Sequence, residues 1–151
     1  MSDAEPMIVL ENVYKIFGPN PRGRAFELCS SGVSKDEVQR QTGHVVGMRD
    51  ISFDVQRGEI FVVMGLSGSG KSTAIRTVNK LHDVTHGRVL VEGTDVQQLR
   101  GAALQAFRRE KTAMVFQHFA LFPHRNVIDN TAYGLKVQGV DKRERHEAAI
   151  E

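Results

Sequence analysis

Nine consecutive residues constrain this 151-residue chain more than any others: Gly65-Leu66-Ser67-Gly68-Ser69-Gly70-Lys71-Ser72-Thr73. They follow an apolar, strand-like run, Ile60-Phe61-Val62-Val63-Met64, and lead into a helix-like stretch beginning near Lys71. The stretch fits the pattern G-x-x-x-x-G-K-[ST] in a strand-then-helix context. Glycines at 65, 68 and 70 let the backbone turn tightly and approach an anion without Cβ clashes. Successive N–H groups and the positive end of the helix dipole then suit a phosphate. Lys71 supplies a point charge for the β- and γ-phosphates, and the Ser72 hydroxyl is placed to ligate Mg²⁺. A Gly/Ser-rich turn that carries a lysine by chance is the bland alternative. It does not account for three glycines, the lysine and two hydroxyls all at the required places.

The rest of the chain reads as alternating strands and helices. Residues 7–13 form a strand, followed by Tyr14-Lys15-Ile16-Phe17-Gly18 and the breakers Pro19, Asn20, Pro21 and Gly23. Residues 19–47 are a polar, moderately basic excursion expected to hold few core residues. A capping box, Ser34 with Glu37, starts a short helix over 35–42, and Gly43 ends it. Residues 48–55 alternate as a half-buried strand, Arg57-Gly58-Glu59 is a turn, and 60–64 is expected at the middle of a sheet. A helix over 71–81 presents Ile75, Val78 and Leu81 on one side. Another strand spans 87–93, a helix 102–109 with Leu104 and Phe107 on its apolar face, and a second buried-type strand 112–116 ends at Gln117. After Pro123, residues 126–138 are expected as one helix with Val127, Ile128, Ala132 and Leu135 as its stripe. A second capping box, Asp141 with Glu144, opens a last helix.

Bulk properties exclude several classes. Lys+Arg 20 against Asp+Glu 18 gives +2, too near neutral to indicate a nucleic-acid binder. The pairs Arg108-Arg109 and Lys142-Arg143 alternate with acids and read as solvated helix faces. The single cysteine, Cys29, forms no internal disulfide and reads as an inert, partly buried thiol. No apolar run approaches the ~20 residues that span a bilayer, and the acidic start, Met1 to Pro6, is no secretory signal. His44, His82, His86, His118, His124 and His146 form no ligand-spaced set with Cys or Asp. The expected location is the cytoplasm, at a membrane only as a peripheral subunit.

The phosphate loop and Val115-Phe116-Gln117-His118-Phe119-Ala120-Leu121-Phe122-Pro123-His124 some 45 residues later resemble the ATP-binding subunits of ABC transporters. The resemblance implies an α/β fold, the phosphate-loop NTPase core of that family. This core is a mixed sheet around the phosphate-loop strand and helix, with an N-terminal antiparallel β part. Residues 1–125 would be the N-terminal part of the ATP-binding domain, and 126–151 the start of a helical subdomain, cut off by the chain's end. It implies ATP and Mg²⁺ as ligands, held by Phe17 stacking on adenine, by Gly65 through Thr73 on the phosphates, and by Ser72 and Gln117 at the Mg²⁺. Lys71 and Gln117 take the catalytic roles. The insert after Phe17, with Arg24-Ala25-Phe26 and Gly32-Val33-Ser34-Lys35, and the segment Asp129-Asn130-Thr131-Ala132-Tyr133-Gly134 resemble the glycine betaine/proline (quaternary amine) uptake subgroup. The implied partners are a second ATP-binding subunit in a homodimer, integral membrane permease subunits and, indirectly, a solute-binding protein.

The family's signature segment (L-S-G-G-Q type), its second carboxylate strand ending in Asp-Glu and its switch histidine do not occur in these residues. Phosphoryl transfer depends on positioning and electrostatics. The 151 residues by themselves are therefore expected to bind nucleotide weakly and not to turn it over, and their stability alone is in doubt. Another ABC importer of amino acids or small solutes, or a soluble ABC-type ATPase, are the alternative readings. A GTPase is disfavoured because Asn79-Lys80-Leu81-His82 lacks the Asp of the guanine motif, and a kinase does not account for the segment around Gln117.

Overall fold

The computed structural model describes residues 5–117 and 121–150. The chain divides into two compact units, Met1–Arg100 and Gly101–Glu151.

In the first unit, β1 (Ile8–Phe17) pairs antiparallel with β2 (Val45–Val55) on one side and β3 (His86–Val91) on the other, and β4 (Thr94–Asp95) completes the order β2-β1-β3-β4. The strand read at 7–13 therefore continues through Phe17. Its buried residues are Leu10, Val13 and Ile16. A regular strand buries every second residue, so a spacing of three needs irregularity. It is supplied by register shifts between Leu10, Val13 and Ile16 against β2. Asn12 and Asp50 both take positive φ there, 46° and 48°, and the Asn12 Nδ2 donates to Asp50 Oδ1 at 3.0 Å.

Between β1 and β2 lie α1 (Arg24–Ser30) and α2 (Lys35–Thr42). The second forms as its capping box implies. The Ser34 Oγ accepts from the Glu37 N–H at 3.2 Å, and Gly43 closes the helix at φ 71°. The insert does not lack core residues, contrary to its polar composition. Ala25, Cys29 and Val38 are buried together with Ile16 and Val46, and Tyr14, Phe26, Leu28 and Val33 pack around them. Cys29 is fully buried rather than partly so.

After β2 the loop leads to α3 (Lys71–Val78). Its buried side is Ala74 and Thr77, whereas Ile75 and Leu81 of the expected stripe are 49% and 44% exposed. Polar links fasten the far end of α3. The buried Lys80 donates from Nζ to the carbonyls of Gln97 (3.0 Å) and Leu99 (2.5 Å), and the Gln97 amide donates to Thr77 O at 3.2 Å. Gln97 belongs to a single 3-10 turn, Val96–Gln98. The strand expected at 87–93 ends early, because Glu92 and Gly93 turn with φ of 47° and 73° into β4.

The strand expected at 60–64 is not formed. A strand needs a neighbour's ladder, and none of the described strands pairs with it. Ile60 is 91% exposed, and only Phe61 stacks, on Phe53 with centroids 4.7 Å apart. The start of α3 is held to β2 by a backbone approach. A Cβ on Gly70 would lie 2.3 Å from the Gly47 carbonyl oxygen, and Gly70 sits at φ 101°.

The second unit starts with α4 (Gly101–Glu110), which buries Phe107. Residues 112–116 form no strand either, and Val115 is 98% exposed. The single helix expected over 126–138 is two short ones, α5 (Val127–Thr131) and α6 (Tyr133–Val137), joined at Ala132. Ala132 is the buried member of the expected stripe, and Val127 is 81% exposed. Asn130 organises the preceding loop. Its Oδ1 accepts from Phe122 N (2.8 Å), and its Nδ2 donates to the carbonyls of Phe122, Arg125 and Asn126 at 3.0–3.2 Å. Asp141 caps α7 (Lys142–Glu147) through the Arg143 N–H at 2.8 Å.

Two predictions follow from these contacts. On α2, hydrogen bonds from Arg40 and then Gln41 push the Glu37 carboxyl down to about 2. A depressed carboxylate stabilises the fold above its unfolded pKa of about 4.5 and loses that contribution as pH falls toward 2. Carboxyl-carbon NMR titration of Glu37 should give a midpoint near 2, rising toward 4.5 in Arg40→Ala. An unchanged midpoint in that variant would contradict the assignment. At the loop, Gly70→Ala should cost about 3 kcal/mol in urea unfolding and Gly68→Ala about 1 kcal/mol, because Gly68 has a positive φ but open space around it. Equal costs would show that the backbone approach does not matter.

Candidate nucleotide site

The phosphate-loop residues come together beside the start of β2. Gly65, Gly68 and Gly70 all take positive φ, 155°, 79° and 101°. Gly70 is the N-cap of α3 and offers no side-chain cap. The N–H groups of Lys71, Ser72 and Thr73 thus begin a helix whose first turn is left without an internal acceptor. Ser69 N–H closes the loop on Leu66 O at 3.2 Å. Lys71 folds back over this turn. Its Nζ donates to Gly65 O at 2.7 Å, to Leu66 O at 2.6 Å and, more weakly, to Ser69 Oγ at 3.4 Å. The ammonium thus occupies the loop's own concavity. The Ser72 side chain is exposed on the first turn of α3, where its hydroxyl is a hard oxygen donor of the kind Mg²⁺ takes. The uncapped N–H groups, the cation and the hydroxyl form a donor set that fits a Mg²⁺–polyphosphate.

Phe17 ends β1 in the same unit, half-buried. A Cβ at Gly47 would come within 2.7 Å of its Cε2 and 3.3 Å of Thr73 Cγ2. Gly47 is therefore the thin point between the aromatic and the first turn of α3. The His82 ring meets Phe17 at 5.4 Å and 84°, and Lys15 Nζ lies 4.8 Å over the ring. Burial lowers the His82 pKa, with Lys15 and Arg76 adding to it. Burial also lowers that of Lys15, against the opposing field of Asp83.

Gln117 belongs to the second unit and is exposed. His118, Phe119 and Ala120 of the same segment lie outside the described residues. Sequence reasoning missed Lys15, Gly47 and His82. Lys15 stands two residues before Phe17, so strand alternation puts it on the same face. Gly47 is a glycine inside a strand pattern, the usual sign of a close backbone approach. His82 carries no such signal.

A cavity of about 450 Å³ borders the loop between Met48, Phe53, Phe61, Val63 and Ser69. A larger one, about 690 Å³, is lined by Arg22, Phe26, His86 and Arg88 and shares no residue with the phosphate loop. Among the described residues no group of His, Cys, Asp and Glu is arranged to hold a metal ion, and no helix is long and apolar enough to cross a membrane.

The chain is 48% identical over 142 residues to the glycine betaine/proline betaine transport system ATP-binding protein ProV of Escherichia coli, covering 94% of the chain and 35% of that protein. It is 46% identical over 150 residues to the glycine betaine transport ATP-binding protein OpuAA of Bacillus subtilis, covering 99% and 36%. The chain thus spans about a third of the length of these curated relatives. Its fold matches the ATP-binding cassette MJ0796, solved as a dimer bound to ADP and Pi, at a TM-score of 0.75 and 24% identity over 95% of this chain and 54% of that one. The α/β class is therefore that of the cassette, of which this chain corresponds to about half. The sequence profile of the ABC transporter family matches residues 48–151, and the chain belongs to that family.

Proposed function

We propose that this chain is the N-terminal, nucleotide-holding portion of an ATP-binding subunit that energises uptake of a quaternary amine of the glycine betaine/proline type. The observation that carries the proposal is the phosphate loop, uncapped at α3 and roofed by Lys71, in a chain so similar to betaine-transport ATP-binding proteins along almost its whole length.

In this reading the N–H groups at 68–73 donate to the phosphate oxygens, and Lys71 turns from the Gly65 and Leu66 carbonyls to the β- and γ-oxygens. Ser72 and Gln117 hold Mg²⁺, which when bound neutralises charge on the phosphates. Phe17 stacks on the adenine, and Gln117 orients the attacking water. Residues 126–151 begin the helical subdomain that meets the permease. The working assembly is a homodimer of ATP-binding subunits on the cytoplasmic face of the membrane, peripheral to the permease, with a solute-binding protein delivering the amine. The groups that close the site across the dimer and activate water are not among these residues, so hydrolysis belongs to the longer protein and not to this portion alone.

Equilibrium binding of ATP with and without Mg²⁺ tests the reading. Lys71→Ala should weaken binding about 10- to 100-fold, as expected for loss of a charge-assisted contact. Ser72→Ala should remove the Mg²⁺-dependent part of the affinity and leave the rest. If neither substitution weakens binding, the phosphate loop is not the nucleotide site.

A further inference from the structure

Lys15 and Phe17 stand two residues apart on β1, on the face opposite Ile16, which is buried between them. A lysine near a strand end ordinarily reaches for water. Here the ammonium turns onto the Phe17 ring, 4.8 Å from its centroid, within cation–π distance. Asp83, the acid whose field Lys15 feels, is itself paired with Lys80 at 3.7 Å. Two further neighbours hold the ring. Gly47 leaves no room for a Cβ beside Cε2, and His82 meets the ring perpendicularly at 5.4 Å. A phenyl ring free to rotate about its two side-chain torsions must be ordered before a base can stack on it, and ordering it in advance removes that cost from binding.

We propose that Lys15 is a positioning residue of the base subsite: its ammonium lies over the Phe17 ring and fixes the ring as a platform on which a purine stacks. It acts through the ring and makes no contact with the phosphates. The inference rests on the reading of Phe17 as the base platform, and the test separates the two.

Full-chain protein is titrated calorimetrically with Mg²⁺–ATP and with Mg²⁺–tripolyphosphate, which has the phosphates but no base. Lys15→Met should weaken ATP about 2- to 5-fold, the range of a partly exposed cation–π contact, and leave tripolyphosphate affinity as in wild type. Lys15→Arg, which keeps a cation over the ring, should restore ATP binding. Phe17→Ala should weaken ATP about tenfold without affecting tripolyphosphate, and adding Lys15→Met to it should cause no further loss. Lys15→Met lowering both ligands equally would show a general electrostatic or structural role. Tighter ATP binding would show that the ammonium blocks the subsite. No change, or no rescue by Lys15→Arg, would likewise overturn the proposal. If Phe17→Ala leaves the ratio of ATP to tripolyphosphate affinity unaltered, the base-platform reading itself fails.

Discussion

The approach of Gly70 to the Gly47 carbonyl is the contact on which the site depends. It leaves no room for a Cβ at Gly70 and fixes the start of α3 on β2. β2 pairs with β1 from Ile8↔Val55 to Phe17↔Val45, so the same strand pair that carries the loop ends at Phe17. Gly47 faces both ways: its carbonyl meets Gly70, and its missing side chain makes space for the Phe17 ring and Thr73. The proposed phosphate cradle and the proposed aromatic platform, about 50 residues apart in sequence, are thereby held by one short piece of backbone. A ligand that engages both gains from their fixed separation, because the second contact is made at high effective concentration once the first has formed.

The insert is the second structural requirement. Its composition is polar, yet Ala25, Cys29 and Val38 bury against Ile16 and Val46 and complete the core beneath the end of β1. This packing supports the last residues of β1, where Lys15 and Phe17 lie. An excursion that sequence polarity alone assigns to the surface is therefore part of what supports the end of β1, where the proposed base platform lies.

Where the determinants are local, they were readable in the sequence. Ser34, Glu37 and Gly43 lie within or beside the helix they cap, and α2 forms between the expected ends. The phosphate loop is legible for the same reason: its glycines, lysine and hydroxyls act within a few residues of one another. Features that depend on a distant partner were not. The three-residue spacing of Leu10, Val13 and Ile16 comes from bulges against β2 that involve Asn12 and Asp50. α1 has Gly23 at its N-cap and no capping side chain to announce it. Residues 60–64 and 112–116 have strand composition, but composition makes a strand only where a ladder is offered, and most of their apolar side chains stand exposed. The site shows the same division. Loop and aromatic are visible in the residues, whereas the lysine and histidine around Phe17 emerge only once the strand end and the turn after α3 are folded together.

Lys71 sharpens what the loop does before any ligand arrives. A cation aimed at bulk water would offer its full charge to a phosphate but leave the loop's carbonyls without a partner. Here the Gly65 and Leu66 carbonyls accept from the ammonium at 2.7 and 2.6 Å, so the lysine ties the entry of the loop to its exit. Phosphate binding must exchange these bonds for bonds to the anion, and only the difference contributes to affinity. The exchange is favourable because the new acceptor carries formal charge and the old ones do not. The lysine is thus the internal brace of the loop and, in the proposed function, its charge for the phosphate. In the proposed reading, deleting it removes an attraction and also loosens the backbone whose N–H groups must converge.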